Sequence, residues 1–108
     1  MRTKIALSVL LGLLISSVSF AEVDAAKLFK KKCVSCHGKQ GEGKKSQKAP
    51  RIGGQYEWYI ESQINDIKSK KRTNGSTKKM VTFVKKLKDE EIKALSKYIA
   101  GLEWKASK

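Results

Sequence analysis

Both cysteines and the only histidine of the 108-residue sequence lie within five consecutive residues, Cys33-Val34-Ser35-Cys36-His37. Thiolate sulfur and imidazole nitrogen bind soft metals, and a thiolate is also a nucleophile and a redox group. Three kinds of chemistry are therefore open to this cluster: a disulfide or dithiol redox pair, a metal site, and covalent attachment of haem. The spacing within the cluster and the elements around it decide among them.

A zinc site and a thiol redox pair both explain the cluster poorly. A structural zinc ion takes four ligands in a tetrahedron. Here three candidates are packed together, and Met80 is the one further soft side chain beyond the initiator. A thioredoxin-like pair is typical of a βαβ pattern, which this sequence lacks. A disulfide between residues three apart closes a very small loop, contributes little stability and leaves His37 without a role.

Covalent haem explains all five positions. On a helical turn Cys33 and Cys36 face the same side, so both sulfurs can form thioethers with the vinyl groups of one haem. His37 follows directly and supplies an imidazole as the proximal iron ligand. We therefore predict one covalently attached haem c per chain.

The second iron ligand must come from the remaining residues of the chain. The sequence holds no second histidine, so the candidates are Met80, a lysine, or no protein ligand. A thioether suits haem iron, and ligation by Met and His raises the reduction potential. The alternative is that Met80 fills the core, but its charged surroundings, KKMVTF, favour a ligand in a loop. We predict that Met80 binds the iron opposite His37.

Helices and one long loop must position these residues. Asp24 is a suitable N-cap for a short amphipathic helix that runs into the cysteines. Residues 38–55 hold five of the eight glycines and the only proline, which predicts a loop that is long for so small a domain. Residues 55–71 follow with helical spacing, and Tyr56 and Tyr59 or Ile60 are placed on their apolar face.

The C-terminal third continues the helical pattern. Asn74-Gly75 is a turn signal, and the segment VTFVKKL is ambiguous between strand and helix. A last helix follows, with Asp89 as its expected N-cap. Three helices and no convincing strand predict an all-α domain.

The N-terminus is typical of a secretory signal peptide. Arg2 and Lys4 precede an apolar run over residues 5–15, and Ser19-Phe20-Ala21 places small residues at the −3 and −1 positions. The apolar run is shorter than the roughly 20 residues of a spanning helix. We expect cleavage after Ala21, residues 22–108 as one domain, and a periplasmic location. Export agrees with haem, because attachment of this kind takes place outside the cytoplasm.

The charge balance predicts an anionic partner. The full sequence carries 24 basic and 10 acidic residues. Removal of Arg2 and Lys4 with the signal peptide leaves a net charge of +12. Such a field attracts acidic protein faces, anionic lipid or nucleic acid, or it serves solubility alone. Export argues against nucleic acid, which lies in another compartment.

Several stretches resemble class I cytochromes c, and the resemblance covers nearly the whole mature chain. KLFKKKCVSCHG looks like the N-terminal helix and haem motif of that family, and DEEIKALSKYIAGL resembles its C-terminal helix. APRIGGQYEWYIESQI followed by KRTNGSTKKM is similar to the short bacterial periplasmic branch, which also supplies the single domains of two-haem relatives. The resemblance implies the class I cytochrome c fold, with loops wrapped around the haem. It also implies that Ala25, Phe29, Leu95 and Tyr98 meet where the terminal helices cross.

The resemblance also implies residues around the ligands. In the family a proline at the position of Pro50 accepts the proximal imidazole N–H through its carbonyl oxygen, which orients the ring; a loop-stiffening role is the alternative. Further side chains are expected to donate to the haem propionates or to wall the pocket, with ordinary core packing as the alternative: Arg51, Gln55, Tyr56, Trp58 and Tyr59. Two positions depart from the branch. Lys70 stands where relatives often carry Gly, and Lys88 stands where a Ser or Thr N-cap is usual.

With ligands on both faces of the iron there is no open position for a substrate, so we expect no enzymatic activity and a one-electron carrier between respiratory redox partners. Nine lysines flank the haem-bearing segments: Lys30, Lys31, Lys32, Lys39, Lys44, Lys45, Lys48, Lys78 and Lys79. They are expected to dock acidic redox proteins or membrane oxidase and reductase complexes transiently. We expect a monomer without nucleic acid and without stable membrane insertion. The alternative is a haem-bearing electron-transfer subunit of a periplasmic dehydrogenase complex.

Overall fold

Five α-helices form the described part of the chain, which in this computed structural model comprises Gly12 and residues 22–103. They are α1 (Ala25–Lys32), α2 (Val34–His37), α3 (Glu57–Lys68), α4 (Lys78–Val84) and α5 (Asp89–Ala100), with 3-10 turns at Lys45–Gln47 and Gly75–Thr77. These residues contain no strand beyond an isolated bridge between Lys44 and Ala49, so the prediction of an all-α domain is confirmed. None of the described helices has the length and apolar character needed to cross a membrane. Apart from Gly12, the predicted signal peptide lies outside the described residues.

The first helix begins where the sequence indicated. The Asp24 side chain accepts a hydrogen bond from the backbone N–H of Lys27 at 3.0 Å, which satisfies one of the free donors at the start of α1. At the other end, Cys33 has φ −121° and separates α1 from α2, and its N–H still donates to the carbonyl oxygen of Phe29 at 2.8 Å. The N-cap prediction for Asp24 is confirmed.

One apolar core joins α1, α3, α4 and α5. Its buried members come from all four helices and from the turn after α4: Phe29, Ile60, Ile64, Ile67, Val84, Leu87, Ile92, Leu95 and Ile99. The ring of Phe29 packs against that of Tyr98, with 5.4 Å between centroids and a tilt of 54°. Burial of such side chains contributes about 1.5–3 kcal/mol each. The predicted meeting of the terminal helices is confirmed at Phe29, Leu95 and Tyr98, whereas the part of Ala25 in it stays a prediction.

The ambiguous segment before the last helix is a helix, α4, and Met80 lies in its first turn. The sequence-based placement of Met80 in a loop was therefore wrong. Met80, Val81 and Val84 lie on one side of α4, and Leu87 follows in the turn after the helix. Val84 and Leu87 are buried, whereas Met80 and Val81 are half-buried against the core.

Helix α3 begins two residues later than predicted and ends three residues earlier. Ile60, Ile64 and Ile67 form its buried face, at the spacing of a helical stripe. Tyr56 precedes the helix and is 72% exposed, so its placement on the apolar face was wrong. Lys70, just after the helix, has φ +62°. This left-handed conformation favours glycine, which gives a physical reason for the glycine that the resemblance expects there.

The start of α5 also differs from the prediction. Lys88 is the N-cap residue, and its backbone N–H donates to the Glu91 side chain at 2.9 Å. Asp89 is the first helical residue, so the expectation that it caps the helix was wrong. Asp89, Glu90 and Glu91 all lie in the first turn, where negative charge interacts favourably with the helix dipole.

Candidate haem site

The two cysteines lie three residues apart, at the two ends of one helical turn. Cys33 connects α1 to α2 and Cys36 lies within α2. The backbone N–H groups of Cys36 and His37 both donate to the carbonyl oxygen of Cys33, at 3.3 and 2.9 Å. Neither cysteine forms a disulfide, and both are half-buried. Burial raises the pKa of the Cys33 thiol to about 11, and the nearby Lys32 offsets only part of that shift.

His37 is the most buried of the predicted ligands, with only 5% of its surface exposed. Its Nδ1 atom lies 2.8 Å from the carbonyl oxygen of Pro50. A carbonyl oxygen only accepts, so Nδ1 carries the proton and donates. The other ring nitrogen, Nε2, then holds the lone pair that a metal ligand needs. The contact with Pro50 that the resemblance implied is present in the structure.

A network of backbone hydrogen bonds holds Pro50 against His37. The N–H of Gly43 donates to the carbonyl oxygen of His37 at 2.7 Å, and the N–H groups of Ile52 and Gly53 donate to that of Gly41 at 2.8 and 2.9 Å. Two further bonds join the backbone N–H groups of Lys44 and Ala49 to each other's carbonyl oxygens, at 3.0 and 3.1 Å. The two arms of the loop that follows the cysteines are therefore tied together on either side of Pro50.

Close approach of these two arms explains why the loop is rich in glycine. A Cβ atom at Gly53 would lie 2.2 Å from the carbonyl oxygen of Gln40, which no side chain can do without a shift of the backbone. Gly41 faces the same crossing with φ +62°, and a Cβ there would lie 2.7 Å from the nitrogen of Gly53. The sequence identified the loop but did not show that its arms cross.

Met80 borders the same core as the cysteine motif. Cys33, Val34, Ile52 and Met80 are all half-buried side chains that pack against the buried cluster. The structure thus brings the cysteine motif, the loop after Pro50 and the Met80 segment to one apolar core. A thioether in such a position is a chemically suitable soft ligand for haem iron.

The predicted residues that follow Pro50 lie at the surface. Arg51 and Gln55 are exposed, and the Arg51 Nε donates to the carbonyl oxygen of Gly53 at 3.2 Å. Tyr56, Trp58 and Tyr59 form an exposed aromatic cluster. The Tyr56 and Trp58 rings stack with 6.0 Å between centroids, and Tyr59 meets Trp58 edge-on at 5.8 Å. Their alternative reading as ordinary core residues was wrong.

Two polar residues form hydrogen bonds that sequence reasoning did not predict. The Lys44 side chain donates to the backbone carbonyl oxygen of Ser35, within the cysteine motif, at 3.2 Å. Arg72 bonds to Gln63 and Asn74, on the two sides of the connection between α3 and α4. No pattern in the sequence marks these pairs, because the partners are separated by two to nine positions and join different elements.

An open groove of about 1120 Å³ lies away from the predicted ligands, between the start of α1 and the start of α5. It is lined by Glu22, Val23, Asp24, Lys27, Leu28, Lys31, Lys88, Glu90 and Glu91. The lining contains both acidic and basic side chains and none of the predicted haem ligands. The chemistry of the site therefore rests on the cysteine motif and its neighbours.

Comparisons with known proteins point to one family. The sequence profile of the family described as cytochrome c matches residues 23–103. Over 71 residues the chain is 39% identical to cytochrome c4 of Pseudomonas aeruginosa, covering 65% of this chain and 35% of that protein. Over 77 residues it is 39% identical to cytochrome c-553 of Helicobacter pylori strain 26695, covering 71% of this chain and 77% of that protein. The chain spans about a third of the length of the cytochrome c4 relatives that it matches.

A solved structure agrees with the sequence matches. The chain superposes on reduced recombinant cytochrome c4 from Pseudomonas stutzeri with a TM-score of 0.64 and 34% sequence identity. The match covers 81% of this chain and 53% of that one.

Proposed function

This chain belongs to the cytochrome c family, and from that premise we propose that it is a periplasmic carrier of single electrons. Covalently bound haem c, the cofactor of this family, supplies an iron that alternates between the ferric and ferrous states. The residues of this chain would hold that iron, set its potential and present it to partners. The hydrogen bond from His37 to Pro50 is the observation that carries the proposal.

Each residue of the motif has a separate role in the proposal. Cys33 and Cys36 tether the haem through thioethers, and the helical turn between them sets their spacing. His37 is the proximal ligand through Nε2, since its Nδ1 proton is engaged by Pro50 at 2.8 Å. That hydrogen bond fixes the plane of the ring and makes the imidazole a stronger electron donor to the metal.

Met80 is proposed as the distal ligand. With the His37 imidazole and the Met80 thioether both holding the iron, these residues would leave it no site for oxygen, peroxide or another substrate. The chemistry that remains is outer-sphere transfer of one electron, which needs no substrate pocket. This assignment makes the protein a carrier rather than an enzyme.

The lysines around the cysteine motif support docking of acidic partners. Eight of the nine flanking lysines named above are exposed, Lys32 alone being half-buried. A positive field of this kind accelerates encounter with an acidic partner and weakens as salt is added. We propose acidic redox proteins, or acidic faces of membrane oxidase and reductase complexes, as transient partners. The N-terminal signal pattern supports a periplasmic location.

One observation favours a second candidate, a permanent electron-transfer subunit of a periplasmic dehydrogenase complex. Tyr56, Trp58 and Tyr59 are 72%, 69% and 41% exposed, and the Trp58 ring contacts both tyrosine rings. Clustered exposed aromatics are typical of protein interfaces. Copurification with a dehydrogenase at a fixed stoichiometry would favour this candidate over the free carrier.

Absorption spectra of the purified protein, oxidised and reduced, test the proposed function. We expect a c-type spectrum and, in the oxidised form, the charge-transfer band of a methionine–iron bond. Met80→Ala should abolish that band and retain the haem, and Cys33→Ala with Cys36→Ala should abolish covalent attachment. Met1 is the one other methionine and lies in the predicted signal peptide. A charge-transfer band that survives in Met80→Ala would therefore contradict the ligand assignment.

A further inference from the structure

Arg72 joins α3 to the segment that leads into α4. Its backbone N–H donates to the carbonyl oxygen of Asp66 at 3.0 Å. In its side chain, Nη1 donates to Gln63 Oε1 at 2.7 Å and Nε donates to Asn74 Oδ1 at 3.2 Å. Gln63 and Asp66 belong to α3, whereas Asn74 lies beyond its end. One half-buried guanidinium thus holds both sides of the connection between the two helices.

A single short turn separates Asn74 from α4: Asn74 itself is extended, with φ −69° and ψ 144°, and Gly75 has φ +55°. Asn74 precedes the 3-10 turn Gly75–Thr77, in which the Thr77 N–H donates to the carbonyl oxygen of Asn74 at 3.1 Å. That turn continues directly into α4 at Lys78, so Met80 follows two residues later. A hydrogen-bonded helical turn transmits position, because its dihedral angles are fixed. Through the hydrogen bond from the Thr77 N–H, Asn74 anchors the turn that leads into α4.

The other end of α4 is held by different contacts. Val84 and Leu87 are buried in the core, and the Lys68 ammonium of α3 donates to the carbonyl oxygen of Leu87. Met80 and Val81, at the start of α4, are only half-buried. The end that carries the thioether thus has the weaker packing, and the hydrogen bond from Arg72 to Asn74 holds the chain segment that precedes it.

We propose that Arg72 is a positioning residue that holds the Met80 thioether at the iron, an inference that rests on the proposed ligation by Met80. Its planar guanidinium presents N–H groups in a fixed fork and reaches Gln63 and Asn74 at once. A lysine at this position keeps the charge, but its single ammonium cannot hold both acceptors in the same arrangement. Because the role depends on the shape of the guanidinium and not on its charge, Arg72→Lys should weaken the Met80–iron bond nearly as much as Arg72→Gln.

Competition by imidazole in the oxidised holoprotein tests the proposal. Imidazole replaces a methionine ligand on ferric haem, and its apparent affinity rises as the native bond weakens. We expect Arg72→Lys and Arg72→Gln to bind imidazole about tenfold more tightly than the wild type, a change that corresponds to about 1.4 kcal/mol. Asn74→Ala, which removes the acceptor closest to Met80, should raise the affinity in the same direction and serves as the second variant if the Arg72 variants do not accumulate with haem.

Asp24→Ala is the matched control for general destabilisation. It removes the N-cap of α1 and should cost about 1 kcal/mol of stability, with no contact to the Met80 segment. Its urea midpoint should fall, while its imidazole affinity stays within twofold of the wild type.

Two results would overturn the inference, and they are distinguishable. Imidazole affinities within twofold of the wild type in both Arg72 variants would show that Arg72 does not hold Met80. A wild-type spectrum that Met80→Ala leaves unchanged would instead remove the ligand assignment, and with it both the proposed function of Met80 and the role of Arg72.

Discussion

His37 and Pro50 are joined by a hydrogen bond of 2.8 Å between Nδ1 and the prolyl carbonyl oxygen, across thirteen positions of the chain. The imidazole is 5% exposed, so water offers little replacement for this acceptor. The bond depends on the loop between the two residues, because a carbonyl oxygen can only be aimed by its backbone. Substitutions that move this backbone should therefore weaken the hydrogen bond of the His37 imidazole.

Gly53→Ala should weaken the hydrogen bond between His37 and Pro50, although Gly53 forms no part of it. The added Cβ would lie 2.2 Å from the carbonyl oxygen of Gln40, so the crossing of the loop arms must open. We expect a loss of about 1–3 kcal/mol in the free energy of unfolding, as for other overpacked sites. Weakening of the bond between His37 and Pro50 makes the imidazole a poorer donor to ferric iron, so the reduction potential of the holoprotein should rise.

Urea denaturation and redox titration of the holoprotein measure both effects. Gly101→Ala is the control, because a Cβ there meets nothing closer than 3.6 Å at an ordinary φ of −83°. It should change neither quantity appreciably. A Gly53→Ala protein with wild-type stability would show that the arms of the loop do not approach as closely as described.

Lys70→Gly should stabilise the protein. Lys70 has φ +62° immediately after α3, and an L side chain in this region costs about 1–2 kcal/mol that glycine avoids. Part of the gain is offset by the greater freedom of glycine in the unfolded chain, which leaves about 0.5–1 kcal/mol. The change should appear as a higher urea midpoint with an unchanged slope.

Lys71→Gly provides the comparison for Lys70. It removes the same charge from the next position, which is not among the described residues with positive φ. Glycine there adds freedom to the unfolded chain without relieving strain, so stability should fall slightly. Equal effects of the two substitutions would indicate that charge, and not backbone conformation, decides the outcome.

The sequence predicted those features that depend on neighbours in the chain or on a shared apolar face. Asp24 is followed by a helical pattern and caps α1 as expected. Phe29 and Tyr98 meet because both terminal helices bury one stripe. The helix around Met80 was not predicted because a short, charged helix has a weak apolar period. Its packing depends on Val84 and Leu87, which are buried in the core.

Contacts between distant backbone segments could not be predicted from the residues themselves. The contact of His37 with Pro50 was available only through the resemblance to a known family. The approach of Gly53 to Gln40 depends on how the two arms of the loop cross. Neither residue type predicts that crossing. The three hydrogen bonds of Arg72 likewise follow from the turn between α3 and α4.

Glu42 should make the stability of the haem-motif loop depend on pH. Its carboxylate accepts hydrogen bonds from its own backbone N–H and from that of Gln40, the latter at 2.9 Å. These bonds, with a smaller contribution from Lys44, lower the pKa of Glu42 below its usual value of 4.5. A lowered pKa in the folded state adds stability above the unfolded-state pKa, and that stability is lost as the pH falls through the folded-state value.

Glu42→Gln should remove this pH dependence. Relative to the wild type, the variant should be less stable at pH 7, and the difference should shrink as the pH falls below 4.5, the usual pKa of a glutamate. Urea midpoints of the holoprotein measured between pH 3 and pH 7 give the comparison. Glu103→Gln removes the same charge at an exposed position near the end of α5 and controls for net charge. A difference between wild type and Glu42→Gln that is constant across this range would contradict the role of the carboxylate.

Charge reversal near the cysteine motif should slow electron transfer to an anionic acceptor. Lys39 and Lys45 are exposed beside the motif, and Lys93 and Lys97 are exposed on α5. The double variants Lys39→Glu with Lys45→Glu and Lys93→Glu with Lys97→Glu change the net charge equally, so they differ only in where the charge lies. With hexacyanoferrate(III) as oxidant at low ionic strength, we expect the first pair to slow oxidation of the reduced protein several-fold more than the second.

The oxidation rates of the two double variants should also depend on the salt concentration and on the charge of the oxidant. The difference between the two double variants should fade above about 0.5 M salt, where the Debye length is only a few ångströms. A cationic oxidant, the tris(phenanthroline) complex of cobalt(III), should show the opposite order, because the introduced carboxylates attract it. Equal rates for the two double variants at low salt would place the electron-exchange surface away from Lys39 and Lys45, and the proposed docking of acidic partners there would be wrong.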